Sequence, residues 1–263
     1  MYSLEHKIYL KKLKKEKRLI LFFKIIILIL LIFIWELLAR LDIINTFLFS
    51  SPSKIINTIV NLYNNYNLFS HIWTTTYETI ISFTLATILG IIIATILWWN
   101  NIIAKILDPY LTIINSLPKV SLGPLIIIWV GAKTNSIILM ALLISLFTTI
   151  INMYNAFRNI PKSMIILLKS FEATKMQIFT KLVFPSNINN LINTLKINIS
   201  LTLIGVIMGE LLVSKQGLGY LINYGSQIFN LNLVITSIFI LGILSYVIYS
   251  IVTIIQKKLV RNN

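Results

Sequence analysis

Two ionisable side chains, Glu210 and Lys119, stand within or against long apolar runs of this 263-residue sequence. A charge in such a setting is costly, so its first reading is functional. Lys119, flanked by Pro118 and Ser121, would suit an anionic solute; the alternative is a stem that snorkels to a polar boundary. Glu210 would serve a pathway or a gate, or else be tied to Lys215 or to a helix end. Asn115, Ser116, Ser121, Asn198, Ser200 and Thr202 add neutral polar groups that could line the same pathway, or equally bond across helices. This is a chemistry of passage and not of bond making. The sequence has no glycine-rich phosphate loop ending in Gly-Lys-Ser/Thr, and no Ser-His-Asp set or carboxylate pair that shares a plausible site. Having no cysteine, it forms no disulfide or thiolate metal site.

The elements that must position these groups are membrane spans. The chain is 57% hydrophobic with a mean hydropathy of +0.87, and 12% of it is charged, against about a quarter in soluble domains. An all-α integral membrane protein is the consequence. Six apolar segments can be drawn, at 20–39, 79–98, 111–130, 135–154, 194–213 and 232–254, each close to the ~20 residues that cross a bilayer as a helix. The third is interrupted by Pro118 and Pro124, which favours a bundle interior where neighbours re-satisfy the freed backbone groups. The organisation expected is a basic segment 1–19, a six-helix domain 20–256 with a polar loop at about 158–190, and a tail 257–263.

The first span is uncleaved, because the apolar run from Leu19 to Ala39 is too long for a signal peptide. With the N-terminus inside, 16 basic residues map to the cytoplasmic pieces and four (Arg40, Lys54, Lys133, Lys215) to the outer ones. The positive-inside rule then places both termini and the 158–190 loop in the cytoplasm of a plasma-membrane protein. It also accounts for the net charge of +15 without nucleic acid. His6 and His71 fall on opposite sides, so they cannot pair on a metal. Between the first two spans, Phe49-Ser50-Ser51-Pro52-Ser53 is a turn signal with a helix start after it. Ile55, Ile59, Leu62 and Tyr66 then recur at helical spacing, predicting an amphipathic helix on the outer surface. Gly90 and Gly205 permit close helix packing, and Trp98, Trp99 and Trp129 suit interfacial belts.

The 158–190 loop is basic and helical in spacing. After Pro161, Met164, Leu167, Leu168 and Phe171 form one apolar stripe; from Thr174 a second short helix puts Met176, Phe179 and Val183 on one side and Lys175, Gln177, Thr180 and Lys181 on the other. Two short helices joined by a bend form a rigid projection fit to receive a push from a soluble motor. A hairpin lying on the bilayer surface is the alternative.

At these residues the chain resembles the integral permease subunits of ABC importers. Their loop motif reads Glu-Ala-Ala, three residues, Gly, nine residues, Ile-x-Leu-Pro. Leu182-Val183-Phe184-Pro185 aligns with its end, which puts Glu172 on the glycine and Ile166, Leu167 and Leu168 on Glu-Ala-Ala. The tail of the motif is kept and its two namesake elements are not. Trp35-Glu36-Leu37-Leu38-Ala39 followed by Ser51-Pro52-Ser53 is similar to the opening of nitrate/sulfonate/taurine-type permeases. Leu107-Asp108-Pro109-Tyr110, Leu117-Pro118-Lys119 and the run Gly123-Pro124 to Gly131 resemble that subfamily's third-span region. Gly209-Glu210-Leu211-Leu212 with Gly217-Leu218-Gly219-Tyr220-Leu221-Ile222 resembles its signature between the last two spans.

The resemblance implies the type I importer permease fold with six spans. It also implies a homodimeric pore, an ABC ATP-binding subunit beneath each copy and an extracellular solute-binding protein. ATP hydrolysis then belongs to the separate subunit, and this chain works by alternating access. Glu172, Ala173, Thr174, Lys175, Met176, Gln177, Ile178, Phe179 and Pro185 become the coupling residues, with Met176 and Phe179 facing the ATPase. At Glu172 the expectation is a bend of negative φ, aided by Lys169 or Lys175. Small anions such as sulfonates, nitrate or taurine are the favoured substrates, with a thiamine-precursor pyrimidine as the competitor. A secondary transporter or channel would instead call for intramembrane acidic coupling residues and inverted repeats, neither of which the sequence displays.

Overall fold

The computed structural model describes the backbone of residues 4–261 and the side chains of residue 9 and residues 12–254. The ends of the basic segment and of the tail, with the side chains of Lys7, Lys11, Lys257, Lys258 and Arg261, lie outside the described residues. All regular structure among those residues is helical. α1 (Leu4–Arg40) runs unbroken, so from Leu4 on the basic segment is helical and continuous with the first span. Its apolar side chains from Leu19 to Ile34 are exposed, which suits a helix whose neighbour is lipid. It meets the rest of the chain at its end: Glu36 accepts the Ser53 N–H at 3.1 Å and pairs with Arg40 at 2.8 Å.

After α2 (Thr46–Phe49), α3 (Pro52–Asn65) begins where the turn signal predicts. The Ser51 hydroxyl accepts the Lys54 N–H at 3.3 Å, and Pro52 takes a first-turn position where its missing donor costs nothing. Ile55 and Leu62 are buried while Tyr66 is exposed.

α4 (Leu68–Trp99) has 32 residues, ten or so more than the expected second span, because Glu78 does not end it. Asn100 then caps α5 (Asn101–Ser116), its side chain accepting two N–H groups. A 3-10 turn (Lys119–Leu122) and α6 (Gly123–Val130) come after it. The third span, expected at 111–130 with proline interruptions, is a bent pair of helices that begins at Asn101. The helix breaks at Leu117-Pro118 and turns by 85°, since proline biases its predecessor away from helical backbone and lacks a donor itself.

α7 (Thr134–Arg158), α8 (Lys162–Ser170), α9 (Lys175–Ile178) and α10 (Phe184–Ser186) come next, with a π turn at Phe179–Val183. α11 (Ile188–Val213), α12 (Leu218–Gln227) and α13 (Leu231–Arg261) complete the chain. Among the described residues, five helices are long and apolar enough to cross a membrane, and six if the bent pair counts as one.

The bundle is centred on α7, which packs against both α4 and α11. Small residues set that closeness. A β-carbon on Gly205 would lie 2.5 Å from the Ala141 Cα, and one on Gly90 2.5 Å from Thr149. Polar pairs stitch the same contacts: Asn198 donates to Thr149 at 2.5 Å and Ser82 to the Ile138 carbonyl at 3.3 Å, the cross-helix pattern of membrane bundles. Apolar clusters close the two ends. Leu97, Met153, Phe157, Ile178 and Val183 sit at the end carrying α8–α10, and Leu62, Leu218, Leu221 and Ile240 at the end carrying α12.

Candidate functional site

The α8–α10 projection is built by local rules. α8 ends in a Schellman arrangement: the Ala173 N–H reaches the Leu168 carbonyl at 3.1 Å and the Glu172 N–H the Lys169 carbonyl at 2.9 Å. That geometry demands a left-handed residue, and Glu172 occupies it with φ = +54°. The expected negative-φ bend is therefore corrected. The expected Lys169 or Lys175 ion pair is absent as well; among the described residues the salt bridge found is Arg40–Glu36. The reason is geometric, because the hydrogen bonds closing α8 fix the backbone whatever the side chain.

α9 starts in a capping box. The Gln177 N–H donates to the Thr174 hydroxyl at 3.3 Å, and the Thr174 N–H to the Gln177 Oε1 at 2.8 Å. The chain then widens into the π turn, in which the Phe184 N–H reaches the Phe179 carbonyl. The Pro185 ring would clash with the Lys181 carbonyl in a regular helix, and the wider turn relieves this. Widening also shifts the helical phase of the side chains beyond it. Val183 is fully buried, Phe179 points into the protein and Met176 points out, 58% exposed.

Phe179 is not the outward anchor expected of it. Its ring packs 5.2 Å from Trp98, 5.5 Å from Phe157 and 6.1 Å from Phe184, centroid to centroid. Lys175 stands over Trp98 and Trp99 at 5.7 and 5.6 Å and donates to the Trp99 carbonyl. Ile178 is buried beside them. Lys175, Ile178 and Phe179 thus fasten the projection to the end of α4. On α8 it is Ile165 and Leu168 that pack inward. Met164, Leu167 and Phe171, which share one face, are left at 49%, 57% and 74% exposure. Glu172, Thr174, Gln177 and Pro185 are exposed and Ala173 is half-buried.

At the opposite end of α4 and α11 a polar cluster surrounds Glu210, which is fully buried. Its carboxyl accepts the Thr75 hydroxyl at 2.7 Å and the Gly219 N–H at 2.5 Å. Of the two ties open to it, Glu210 takes the helix end, at the first turn of α12, and not Lys215. The Thr75 hydroxyl also accepts the Leu218 N–H at 2.8 Å, and His71 Nδ1 the Gly217 N–H at 3.1 Å. Gly217 has φ = +119°, and a β-carbon there would collide with the Glu210 carboxyl. Glu78, also fully buried, lies with its carboxyl against that of Glu210, and among the described residues no donor reaches it.

The other polar candidates do not gather. Lys119 donates to the Asn115 carbonyl and side-chain oxygen at 3.1 and 3.0 Å, closing the end of α5 at the elbow. Ser116 and Ser121 donate to the carbonyls of Ile113 and Pro118. Asn198 and Thr202 are buried within the bundle, and Ser200 is exposed on α11.

A different polar surface does form. A cleft of about 320 Å³ between α7 and α11, on the α8–α10 side, is lined by Asn152, Asn155, Asn159, Asn190, Asn193 and Thr194, with Ala156 and Ile197. The sequence pattern did not single it out, although the intervals 152, 155, 159 and 190, 193, 197 are helical and were available.

Residues 86–262 match a family described as the binding-protein-dependent transport system inner membrane component. The chain is 25% identical over 231 residues to a putative aliphatic sulfonates transport permease protein, SsuC, of Bacillus subtilis, covering 88% of this chain and 84% of that one. It is 29% identical over 192 residues to the formylaminopyrimidine transport permease protein ThiX of Halalkalibacterium halodurans, covering 73% and 76%. In fold it is similar to a chain of the MetNI methionine ABC transporter in an inward facing conformation. That match has a TM-score of 0.63 at 22% identity and covers 75% of this chain and 96% of that chain.

Proposed function

The chain belongs to the binding-protein-dependent transport system inner membrane components, the permeases of ABC importers, and on that premise we propose that its α8–α10 projection couples solute passage to a separate ATP-binding subunit. The carrying observation is that the projection is anchored on one side and bare on the other. Lys175, Ile178 and Phe179 hold it to α4, while Met164, Leu167, Phe171 and Met176 remain exposed apolar side chains. Exposed apolar groups beside polar ones on a rigid element mark a protein contact. The basic residues near the projection favour its placement in the cytoplasm, with both termini on that side.

In this reading two copies form the pore, each on its own ATPase, and an extracellular binding protein delivers a small solute. ATP-driven closure of the motor moves the projection and turns the bundle. The experiment is co-purification of the permease with the ATPase expressed beside it. Leu167→Asp and Met176→Asp should each abolish recovery of the ATPase while the permease still inserts. Full recovery with ATP-driven uptake intact in both variants would overturn the assignment.

A further inference from the structure

We propose that the cleft between α7 and α11 is a stretch of the translocation path that passes an uncharged solute bearing hydrogen-bond donors and acceptors side by side, and not a sulfonate or other anion. The inference rests on the importer reading above and adds to it the chemical class of the cargo.

Asn152 and Asn155 on α7, with Asn159 just past its end, line one side of the cleft, and Asn190 and Asn193 of α11 the other. Against lipid, such a row would leave amides unpaired, at about 1–3 kcal/mol each. Only Asn190 among these five engages its side chain within the described residues, donating to the Asn187 Oδ1 at 2.8 Å. The remaining amides are free for water or a ligand. Each offers both a carbonyl acceptor and an N–H₂ donor, the complement of a ring nitrogen next to an amino or carbonyl group.

No charged residue lines the cleft. Pores selective for anions use Arg or Lys at the constriction, and no such side chain is among the lining groups here. The Lys196 ammonium stands 5.8 Å over the Tyr249 ring. Lys119, the candidate for an anion site, commits its donors to Asn115. Arg158, though on α7, is not among the lining groups.

The absence of native cysteine gives a clean test in the assembled transporter in native membranes. Asn152→Cys, Asn155→Cys and Asn193→Cys would each be exposed to three methanethiosulfonate probes: neutral hydroxyethyl, anionic sulfonatoethyl and cationic trimethylammonioethyl. Rates would be normalised to a free thiol in solution, with Ile92→Cys, on an exposed apolar face of α4, as the lipid control. Reaction at the cleft positions with anionic and cationic rates within about tenfold of each other is expected, since a cleft of one charge sign biases such rates by about tenfold or more. A bias beyond that in either direction overturns the proposal, the anionic preference in favour of an anion carrier. Failure of all three positions to react any faster than Ile92→Cys overturns it too, by placing the face against lipid or protein. Recovery of the ATPase is scored separately, so a collapse of the importer reading is distinguishable from a charged cleft.

Discussion

The carboxyl group of Glu210 accepts the Gly219 N–H at 2.5 Å, so the last turn of α11 holds the first turn of α12 by one side chain, with the Thr75 hydroxyl of α4 on its other oxygen. Glu210→Ala leaves the Gly219 N–H buried and unmade, at about 1–3 kcal/mol, and the Thr75 hydroxyl with only the His71 carbonyl at 3.3 Å. The thermal midpoint of the detergent-purified permease should fall by about 5–10 °C, at ~2–4 °C per kcal/mol for a chain of this size. A midpoint within 2 °C of the unmodified chain would mean that α12 is held by something else (the threshold is set by the ~2–4 °C expected per kcal/mol).

The Glu78 carboxyl neighbours that of Glu210, and neither of its buried oxygens receives a donor among the described residues. Such a contact is satisfied when one member brings a hydrogen. Glu78→Gln supplies it permanently as an amide N–H₂, and the same thermal assay should show a midpoint equal to or above that of the unmodified chain. A clear fall would show that Glu78 answers to a donor of another kind.

Glu172 stands at φ = +54°, a conformation that costs a residue with a β-carbon about 1–2 kcal/mol. Glu172→Gly relieves it, partly offset by the greater freedom of glycine in the unfolded chain. A net gain of about 1 kcal/mol, seen as a rise of about 2–4 °C, is expected, with ATPase recovery unchanged. Glu172→Val should move the midpoint the other way. A glycine variant less stable than the parent would contradict the strain.

Phe179 and Met176, three residues apart, should separate in their effects. Phe179→Ala empties an aromatic cluster of Trp98, Phe157 and Phe184 and should cost about 3–5 kcal/mol of permease stability. Met176→Ala, at an exposed position, should leave the midpoint alone and weaken ATPase recovery. Thermal denaturation and co-purification of the two variants side by side decide this, and a reversed pattern would return Phe179 to the ATPase interface.

Much of this was legible in the sequence. The apolar runs predict both ends of α7 and one end each of α1, α11 and α13 to within four residues, and Ser51-Pro52 predicts the start of α3. The paired signatures are joined in space by bonds whose ends lie within them: Glu36 to Ser53, and Glu210 to Gly219. What was illegible depended on distant partners or on irregular backbone. Glu78 reads as the end of an apolar run because hydropathy sees no neighbour on α11. Lys175 reads as a surface lysine because its carbonyl acceptor is 76 positions away. Phe179 reads as outward from its place in the coupling motif, because its aromatic partners Trp98 and Phe157 are distant in sequence. The asparagine face was illegible because Asn155, Asn159, Asn190 and Asn193 fall outside the apolar runs at 135–154 and 194–213 and read as loop, and only the fold brings the two rows together.

α4 is grasped at both ends. Trp98 and Trp99 hold Lys175 and Phe179 at one, and His71 and Thr75 hold the start of α12 at the other. With 32 residues at 1.5 Å each it extends close to 50 Å, about the full depth of a membrane. A displacement of α9 that α4 tracked as a rigid body would reach α12 as well as α7, against which α4 packs.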